Sequence, residues 1–208
     1  NVTTTKAGVR NLIHAIVDAR HPHGEVYARN SASTPGCWSV GECAPVVPYI
    51  VRPVPSHELH GDGYRGLLGI PEAATVFCRH GAGYTFSFRF VRRAVLDVAK
   101  NRSADVYFVF LTTDNFCTNY GLRSCPSNVL FLNSSFERHR FIQTCDAMLH
   151  GRRDGETFGL ACADFAAHNK PVITANISSR GYATAHIEAL GSKGLYYTDT
   201  PSLVDILT

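Results

Sequence analysis

The sequence predicts an α/β fold with a parallel, Rossmann-like sheet that carries helices on both faces. From residue 74 onward, strand patterns alternate with helix patterns, which favours parallel strands joined by helical crossovers. Val106–Leu111 is an unbroken apolar and aromatic run, typical of a strand buried on both faces. The run from Cys145 to Thr174 reads as strand, glycine turn, helix, turn and strand.

The individual elements of this region follow from hydrophobic periodicity and turn residues. In residues 88–100, for example, apolar residues recur every three or four positions, as on one face of a helix. The predicted strands are Ala74–His80, Val106–Leu111, Val129–Leu132, Ala147–His150, Pro171–Ala175 and Gly194–Tyr197. The predicted helices are Phe88–Lys100, Glu137–Cys145, Glu156–His168, Tyr182–Leu190 and Ser202–Leu207.

The first 64 residues are less regular. Apolar residues at helical spacing predict an amphipathic helix over Val9–Ala19, followed by a turn at His21–Gly24. Glu25–Arg29 reads as a short strand or helix start, residues 30–45 as an exposed loop, and Val46–Val51 as a strand. Residues 52–64 read as an interdomain linker. The predicted division is a partial N-terminal segment with its linker at 1–64 and a second domain at 65–208.

Two acidic residues mark the predicted helix 156–168. Glu156 stands at its start and Asp164 follows eight residues later, so both carboxylates are expected near one face. The backbone N–H groups at a helix N-terminus attract anions. A carboxylate beside such groups suits a ligand that has both hydroxyls and phosphates, which describes a nucleotide sugar.

Polar residues follow three predicted strands. Arg79, His80 and Gly81 end one strand, His150 ends another, and Asn176 follows a third. In an open α/β sheet, ligands bind outside the carboxyl ends of the strands. These residues therefore predict a ligand site at one edge of the sheet.

The acid-x7-acid string from Glu156 to Asp164 resembles the signature of retaining glycosyltransferases of the GT-B type, in which two Rossmann-like domains face each other. Thr75–Gly83 resembles the first strand and glycine-rich turn of their C-terminal, donor-binding domain, and Ala185–Tyr197 its closing helix and strand. The resemblance covers roughly residues 66 to 208. Pro22–Ala28 and Val47–Val51 are more weakly similar to the N-terminal domain of a subgroup found in large viruses, bacteria and some algae.

The resemblance implies roles for individual residues. Glu156 is implied to contact the donor sugar, Asp164 to hold the ribose hydroxyls, and Arg79 to stabilise the departing diphosphate. Asp164 replaces the usual Glu, and Arg89 or Arg92 stands in for the family's Lys. The implied catalytic residues are Glu156 and Arg79, and the implied donor-binding residues are Gly81, Gly83, Thr157, Phe158, Gly159, Leu160 and Asp164. No cofactor and no metal are expected, because cationic side chains and a helix N-terminus neutralise the diphosphate.

The expected function is transfer of a sugar, with retention, from a nucleotide diphosphate sugar to a glycan or other hydroxyl acceptor. The expected partners are the nucleotide sugar donor and a glycan or protein acceptor. The alternative is an inactive glycosyltransferase-like module, a structural or carbohydrate-binding subunit of a larger assembly, because only the end of an N-terminal domain is recognisable. In that case, a missing N-terminal domain or assembly partners are expected to complete the functional protein. His21, His23 and Glu25 either face a cleft or form an ordinary turn, and His150 is either a site residue or a core histidine.

Charge and hydropathy exclude other classes. The net charge of +3 is too small to indicate nucleic acid binding. No apolar run approaches the roughly 20 residues that span a membrane. Because the chain starts at Asn1 rather than Met, we expect a processed product from which any targeting segment has been removed.

Cysteines and sequons bear on location. Cys37–Cys43 and Cys117–Cys125 lie in turn-rich segments where a short disulfide is sterically plausible. The other cysteines, Cys78, Cys145 and Cys162, are expected to be buried thiols. The sequence contains no C-x2-C motif, so a zinc site is not expected. Sequons for N-glycosylation begin at Asn1, Asn101, Asn133 and Asn176. Together these features favour a secretory or extracellular location over the cytoplasm.

Overall fold

The computed structural model describes residues 10–58 and 61–208, which form two compact units. The small unit consists of the chain through Ile50 together with Asp154–Gly159 and Ser178–Ala189. The sheet unit consists of Val51–Arg153, Leu160–Ile177 and Leu190–Thr208.

The elements of both units are numbered here in chain order. The strands are β1 Leu12–Ala15, β2 Val26–Arg29, β3 Cys37–Ser39, β4 Glu42–Cys43, β5 Thr75–His80, β6 Val106–Leu111, β7 Val129–Leu132, β8 Ala147–Leu149, β9 Val172–Ala175 and β10 Leu195–Tyr197. The α-helices are α1 Arg65–Leu68, α2 Arg89–Asn101, α3 Arg138–Thr144, α4 Leu160–Ala167, α5 Ala185–Leu190 and α6 Thr200–Leu207. Short 3₁₀ helices lie at Ser56–Glu58, Gly83–Thr85, Cys117–Tyr120 and Gly191–Lys193.

The sheet unit contains six parallel strands in the order β10-β9-β8-β5-β6-β7. Numbered within the unit, this is the 3-2-1-4-5-6 order of the dinucleotide-binding Rossmann fold. The predicted α/β class is therefore confirmed, and each predicted strand from residue 74 onward is present within two residues of its predicted bounds.

Helices cover both faces of this sheet because side chains alternate along each buried strand. Phe77, Phe108 and Phe110 point to the face covered by α2 and α6. Val76 and Val109 belong to the opposite core, which α3 and α4 cover. The apolar run of β6 therefore supplies both cores at once, as its composition predicted.

The small unit departs from its sequence prediction. The helix predicted over Val9–Ala19 is wrong: Val9 lies outside the described residues, and β1 pairs in parallel with β2 instead, with Leu12 opposite Val26. The exposure of β1 alternates from residue to residue, as in a strand. The apolar spacing in this segment fits a helix, but it also fits a strand of four residues. Pairing with β2 decides in favour of the strand.

Two further predictions in this region need correction. The strand predicted over Val46–Val51 is reduced to one bridge between Val46 and Arg29. The predicted exposed loop 30–45 contains the hairpin β3–β4 and the buried residues Asn30 and Thr34. Their side chains are hydrogen-bonded to each other, so the loop has a small polar interior.

The described part of the chain contains three disulfides. The predicted pairs Cys37–Cys43 and Cys117–Cys125 are bonded. The prediction of thiols at Cys78 and Cys145 is wrong: their Cα atoms lie 5.7 Å apart and they form a third disulfide. This is possible because Cys145 lies two residues before β8, which pairs with β5 at Phe77 and Cys78. Cys162 is a buried thiol, as predicted.

Disulfides in this number are typical of proteins in oxidising compartments. Within the described ranges, no helix has the length and apolar character that a membrane span requires.

Candidate functional site

The strand order reverses between β5 and β8, which are hydrogen-bonded neighbours in the sheet. In open α/β sheets, the crevice outside the carboxyl ends of the strands at such a point is the usual ligand site. His80 ends β5 and His150 directly follows β8. Of the residues predicted from strand ends, Arg79, His80, Gly81 and His150 therefore lie at this switch point, whereas Asn176 follows β9.

Arg79 is buried at the end of β5, with 3% of its surface exposed. Its Nη1 donates to Thr113 Oγ1 at 2.5 Å, and its Nη2 donates to Thr85 Oγ1. The guanidinium carbon lies 5.5 Å from the centre of the Phe86 ring. Arg79 thus holds together the turn after β5 and the loop after β6.

In the glycine-rich turn between β5 and α2, Gly83 lies directly against the side chain of Asp114. A Cβ at this position would lie 2.1 Å from Asp114 Oδ1. The Asp114 amide also donates to the Gly83 carbonyl at 3.1 Å, and Thr112 Oγ1 donates to the Gly81 carbonyl at 2.8 Å. The turn is therefore packed against the end of β6, and Gly81 and Gly83 both lie at the switch point.

Asp164 lies on α4 in the sheet unit, half-buried. Its Oδ2 is 3.5 Å from His80 Nε2 and 3.5 Å from Arg138 Nη1. Burial raises the pKa of the Asp164 carboxyl above its usual range, although the positive charge of Arg138 opposes this. Asp164 is thus a carboxylate near the end of β5 with one cationic and one imidazole neighbour.

His80 is the neutral member of this group. Burial lowers the pKa of its imidazole to about 4, and the positive charges of Arg138 and Arg79 contribute in the same direction. The ring is stacked on Phe165, with ring centres 5.7 Å apart. At neutral pH, His80 therefore adds no charge beside Asp164.

The lowered pKa of His80 predicts a loss of stability in acid. An unfolded histidine takes up a proton near pH 6.5, whereas His80 in the folded state does so only near pH 4. Between these values the unfolded state binds more protons, so stability falls as the pH decreases, by up to about 3 kcal/mol. Asp164, with its raised pKa, opposes this loss at the acid end.

Chemical denaturation at pH 7 and pH 4.5 measures this effect. In His80→Phe, which keeps a ring against Phe165, we expect a clearly smaller loss of stability between the two pH values. His57→Phe, an exposed position in the same unit, is the control and keeps the wild-type loss. An unchanged pH dependence in His80→Phe would show that His80 does not cause the loss of stability in acid.

Glu156 lies in the small unit and not in a helix. The helix predicted over Glu156–His168 begins at Leu160, so the expectation that Glu156 and Asp164 share one helical face is wrong. Glu156 instead forms a parallel bridge with Thr184. Its amide donates to the Ala183 carbonyl at 2.9 Å, and its carbonyl accepts from the Ala185 amide at 3.1 Å.

The residues after Glu156 connect the two units. Thr157 Oγ1 donates to the Ile16 carbonyl at 2.6 Å, and the Phe158 ring packs edge-on against Tyr49 at 5.1 Å, both within the small unit. Gly159 has φ +88° and belongs to the same unit. Leu160 begins α4 in the sheet unit, so the unsatisfied helix amides start at this residue and not at Glu156.

The remaining predicted residues fall into two environments. His21, His23 and Glu25 are exposed in the turn between β1 and β2, where His23 Nδ1 lies 2.9 Å from the His21 carbonyl oxygen. His150 is buried, and its Nδ1 lies 2.9 Å from Thr174 Oγ1. The geometry of His150 is that of a hydrogen-bonded core histidine.

The two arginines proposed to replace the family's lysine also differ in their exposure. Arg89, the first residue of α2, is exposed. Arg92 Nε donates to the Phe86 carbonyl at 2.5 Å, and its guanidinium lies 5.5 Å from the Phe116 ring centre. Arg89 is therefore the more accessible cation at the start of this helix.

Several partners in the site are not recognisable from the sequence. Arg138 and Thr113 were not identified, because nothing in their local sequence distinguishes them from surface and strand-end residues. From the sequence, His80 is recognisable only as the end of a strand. The one signal for a role of His80 in the site is its position next to Arg79 in the sequence.

Comparisons with protein-family models and with curated proteins find no match. Solved structures do match. HepE from Anabaena, in complex with UDP and glucose, is 16% identical and aligns with a TM-score of 0.62 over 88% of this chain and 52% of its own. A glycosyltransferase from Rickettsia africae is 12% identical and aligns at 0.61 over 87% and 52%, and TarM is 12% identical at 0.58 over 80% and 32%.

These neighbours are glycosyltransferases of the GT-B type, and this chain spans about half the length of the first two. The matched structures, the six-stranded parallel sheet and its strand order agree with one another. The chain has the fold of the C-terminal, Rossmann-like half of a GT-B glycosyltransferase.

Proposed function

We propose that this protein transfers a sugar from a nucleotide diphosphate sugar to a hydroxyl acceptor. The observation that carries the proposal is the switch point of the sheet, where Arg79, the glycine turn and Asp164 meet the end of β5. The GT-B fold of similar structures supports it, since one crystal structure of HepE is a complex with UDP-glucose.

Each polar group has a distinct role in the proposal. Glu156 accepts hydrogen bonds from the hydroxyls of the donor sugar, and Asp164 accepts them from the ribose. Arg79, through its positive charge and its hold on the Gly81–Thr85 turn, stabilises the diphosphate as negative charge develops. The first amides of α4, starting at Leu160, face no helical acceptor and suit phosphate oxygens.

The proposed reaction retains the anomeric configuration. The acceptor oxygen attacks from the face that the diphosphate leaves, so no enzyme nucleophile is needed. No cofactor and no metal are proposed, because Arg79, Arg89 and the start of α4 supply the positive potential. The donor sugar is a hexose or a pentose, and the acceptor is a glycan or a protein.

A second candidate is an inactive module with a structural or carbohydrate-binding role in a larger assembly. The burial of Arg79 favours it, because only 3% of the surface of this residue is exposed for a direct phosphate contact. The coverage of about half of each similar chain favours it as well. In this case a missing domain or a partner completes the molecule.

We place the protein in the secretory pathway or outside the cell, with the cytoplasm as the alternative. The disulfides support an oxidising environment. Asn101, Asn133 and Asn176 are exposed, so their sequons are accessible to glycosylation; Asn1 lies outside the described residues.

A thermal-shift titration with UDP, GDP and ADP and their sugar conjugates tests the proposed function. A ligand that binds the folded state raises the melting temperature. We expect one nucleotide sugar to do so, and Glu156→Gln to remove the extra shift of the sugar over the bare nucleotide. Transfer in this variant should fall by roughly 100-fold or more, as for loss of one transition-state contact.

Glu72→Gln, an exposed glutamate in the sheet unit, is the matched control and should behave as wild type. Full transfer in Glu156→Gln would refute the role of Glu156. A protein that binds no nucleotide sugar would establish the second candidate instead.

A further inference from the structure

A cavity of about 510 Å³ opens on the small unit. Its walls include Arg20, Arg29, Ser33, Tyr182, Thr184 and Glu188, which all belong to this unit. Thr184 is the residue whose backbone bridges Glu156. The cavity therefore adjoins the segment that carries the proposed donor-sugar contact.

One wall of the cavity is cationic. Arg29 is half-buried, and its Nε and Nη1 donate to the carbonyls of Ala44 at 3.1 Å and Thr34 at 2.8 Å. A third carbonyl, that of Ala32, accepts at 3.2 Å. Within residues 10–58 and 61–208, Arg29 has no carboxylate partner and its Nη2 no hydrogen bond. Arg29 is thus held in place, and the two N–H groups of its Nη2 remain open to an anion.

The other wall is acidic. Oε1 of Glu188 accepts hydrogen bonds from Ser33 Oγ and Thr184 Oγ1, both at 2.9 Å. Among the described residues, no donor reaches Oε2 of Glu188. A fixed carboxylate with a free acceptor atom suits a hydroxyl donor, and the partly exposed ring of Tyr182 offers an apolar surface beside it.

The two walls together restrict the ligand. A neutral sugar leaves the charge of Arg29 unpaired, whereas a bare anion is repelled by Glu188 and leaves its oxygen unused. A ligand that carries an oxyanion and several hydroxyls satisfies both walls. A sugar with a carboxylate or a phosphate has this chemistry.

We propose that this cavity binds an acidic sugar and that this sugar is the acceptor. The second part rests on the proposed function. In the reaction, the acceptor hydroxyl oxygen bonds to the anomeric carbon as the bond from that carbon to the diphosphate breaks. The electron pair leaves with the nucleoside diphosphate, which also takes the hydroxyl proton.

Hydrogen bonds connect the cavity to the segment of Glu156 on a second path. Asn30 Nδ2 is 3.5 Å from Thr157 Oγ1, and Thr34 Oγ1 donates to Asn30 Oδ1 at 2.5 Å. Thr34 lines the cavity. Both the bridge at Thr184 and this path place an acceptor in the cavity close to the Glu156 segment.

Calorimetric titration of the whole protein without nucleotide tests the site. The probes are glucuronate, glucose 6-phosphate, glucose and inorganic phosphate. We expect one of the two acidic sugars to bind roughly tenfold or more tightly than both glucose and inorganic phosphate, as for one charge-assisted contact. The two acidic sugars distinguish a carboxylate from a phosphate.

Three results would overturn the proposal. Equal binding of glucose and the acidic sugars removes the role of Arg29. Inorganic phosphate that binds as tightly as glucose 6-phosphate reduces the cavity to a simple anion site. No binding of any probe rejects the cavity as a sugar site.

Variants separate the cavity from general effects of charge. Arg29→Gln should remove the preference for the acidic sugar. Because Arg29 also supports three carbonyls, Arg20→Gln is the second variant, with an expected weakening of roughly threefold. Arg93→Gln is the matched control: Arg93 is exposed and paired with Asp97, as Arg20 is with Asp18. Unchanged preference in both cavity variants would also overturn the proposal.

The two proposals fail separately. The cavity titration contains no nucleotide, so it reports acidic sugar binding even in a protein that binds no donor. A protein that binds a nucleotide sugar but no acidic sugar keeps the proposed function and loses only the acceptor assignment.

Discussion

Replacing Gly155 with alanine is expected to destabilise the small unit by roughly 4 kcal/mol, through backbone strain and lost hydrogen bonds. Gly155 has φ +70°, and an added Cβ would lie 2.0 Å from the Ala183 carbonyl oxygen. This oxygen accepts from the Glu156 amide. The clash therefore falls on the bridge that holds Glu156 beside Thr184, and nucleotide-sugar binding should be lost as well.

Gly181→Ala is the matched control for this prediction. Gly181 lies in the same unit with φ +67°, but nothing lies within 4 Å of an added Cβ. It should therefore cost only about 1 kcal/mol, which is the penalty for the left-handed backbone alone. Chemical denaturation and hydrogen exchange of the Glu156 and Ala185 amides measure both variants. Equal effects of the two would show that the close approach to Ala183 does not matter.

Removing the disulfide between Cys78 and Cys145 is the other change with a large expected effect. It closes a loop of 67 residues, so the double variant Cys78→Ala/Cys145→Ala is expected to lose roughly 4 kcal/mol of stability from chain entropy. The bond also joins β5 to the start of β8, the two strands at the switch point. Donor binding should therefore weaken along with stability.

The pair Cys117–Cys125 provides the comparison, because it closes a loop of only 8 residues. Its removal is expected to cost roughly 2.5 kcal/mol by the same relation. Denaturant unfolding of the oxidised protein and both double variants measures the difference. A smaller loss for Cys78→Ala/Cys145→Ala than for Cys117→Ala/Cys125→Ala would contradict the explanation of these losses by chain entropy.

The sequence predicted the sheet unit well because its strands are decided by burial. The residues of β6 are apolar at nearly every position and rich in Val and Phe, which is typical of a short strand buried on both faces. The predicted helix at 137–145 is present as α3, where Glu137 accepts hydrogen bonds from the His139 and Arg140 amides as an N-cap. Local composition carried both predictions.

The failures involve partners far away along the chain. β1 is a strand because it pairs with β2, and a spacing of apolar residues over so short a segment fits a helix as well. Cys78 and Cys145 meet only through the pairing of β5 with β8. Glu156 was identified by its signature, yet its backbone geometry depends on Thr184. Periodicity reports local structure and contains no information about such contacts.

The small unit is assembled from three separate stretches of the chain, and this affects how the protein is made. The polypeptide passes between the units after Ile50, Arg153, Gly159, Ile177 and Ala189. Ser33 in the first stretch bonds to Glu188, and Glu156 in the second stretch pairs with Thr184. During synthesis, neither contact can form until Ser178–Ala189 has been made. No single proteolytic cut or truncation separates the two units, so neither can be expressed as an ordinary fragment. Isolating one of them calls for a circular permutation or a redesigned connection.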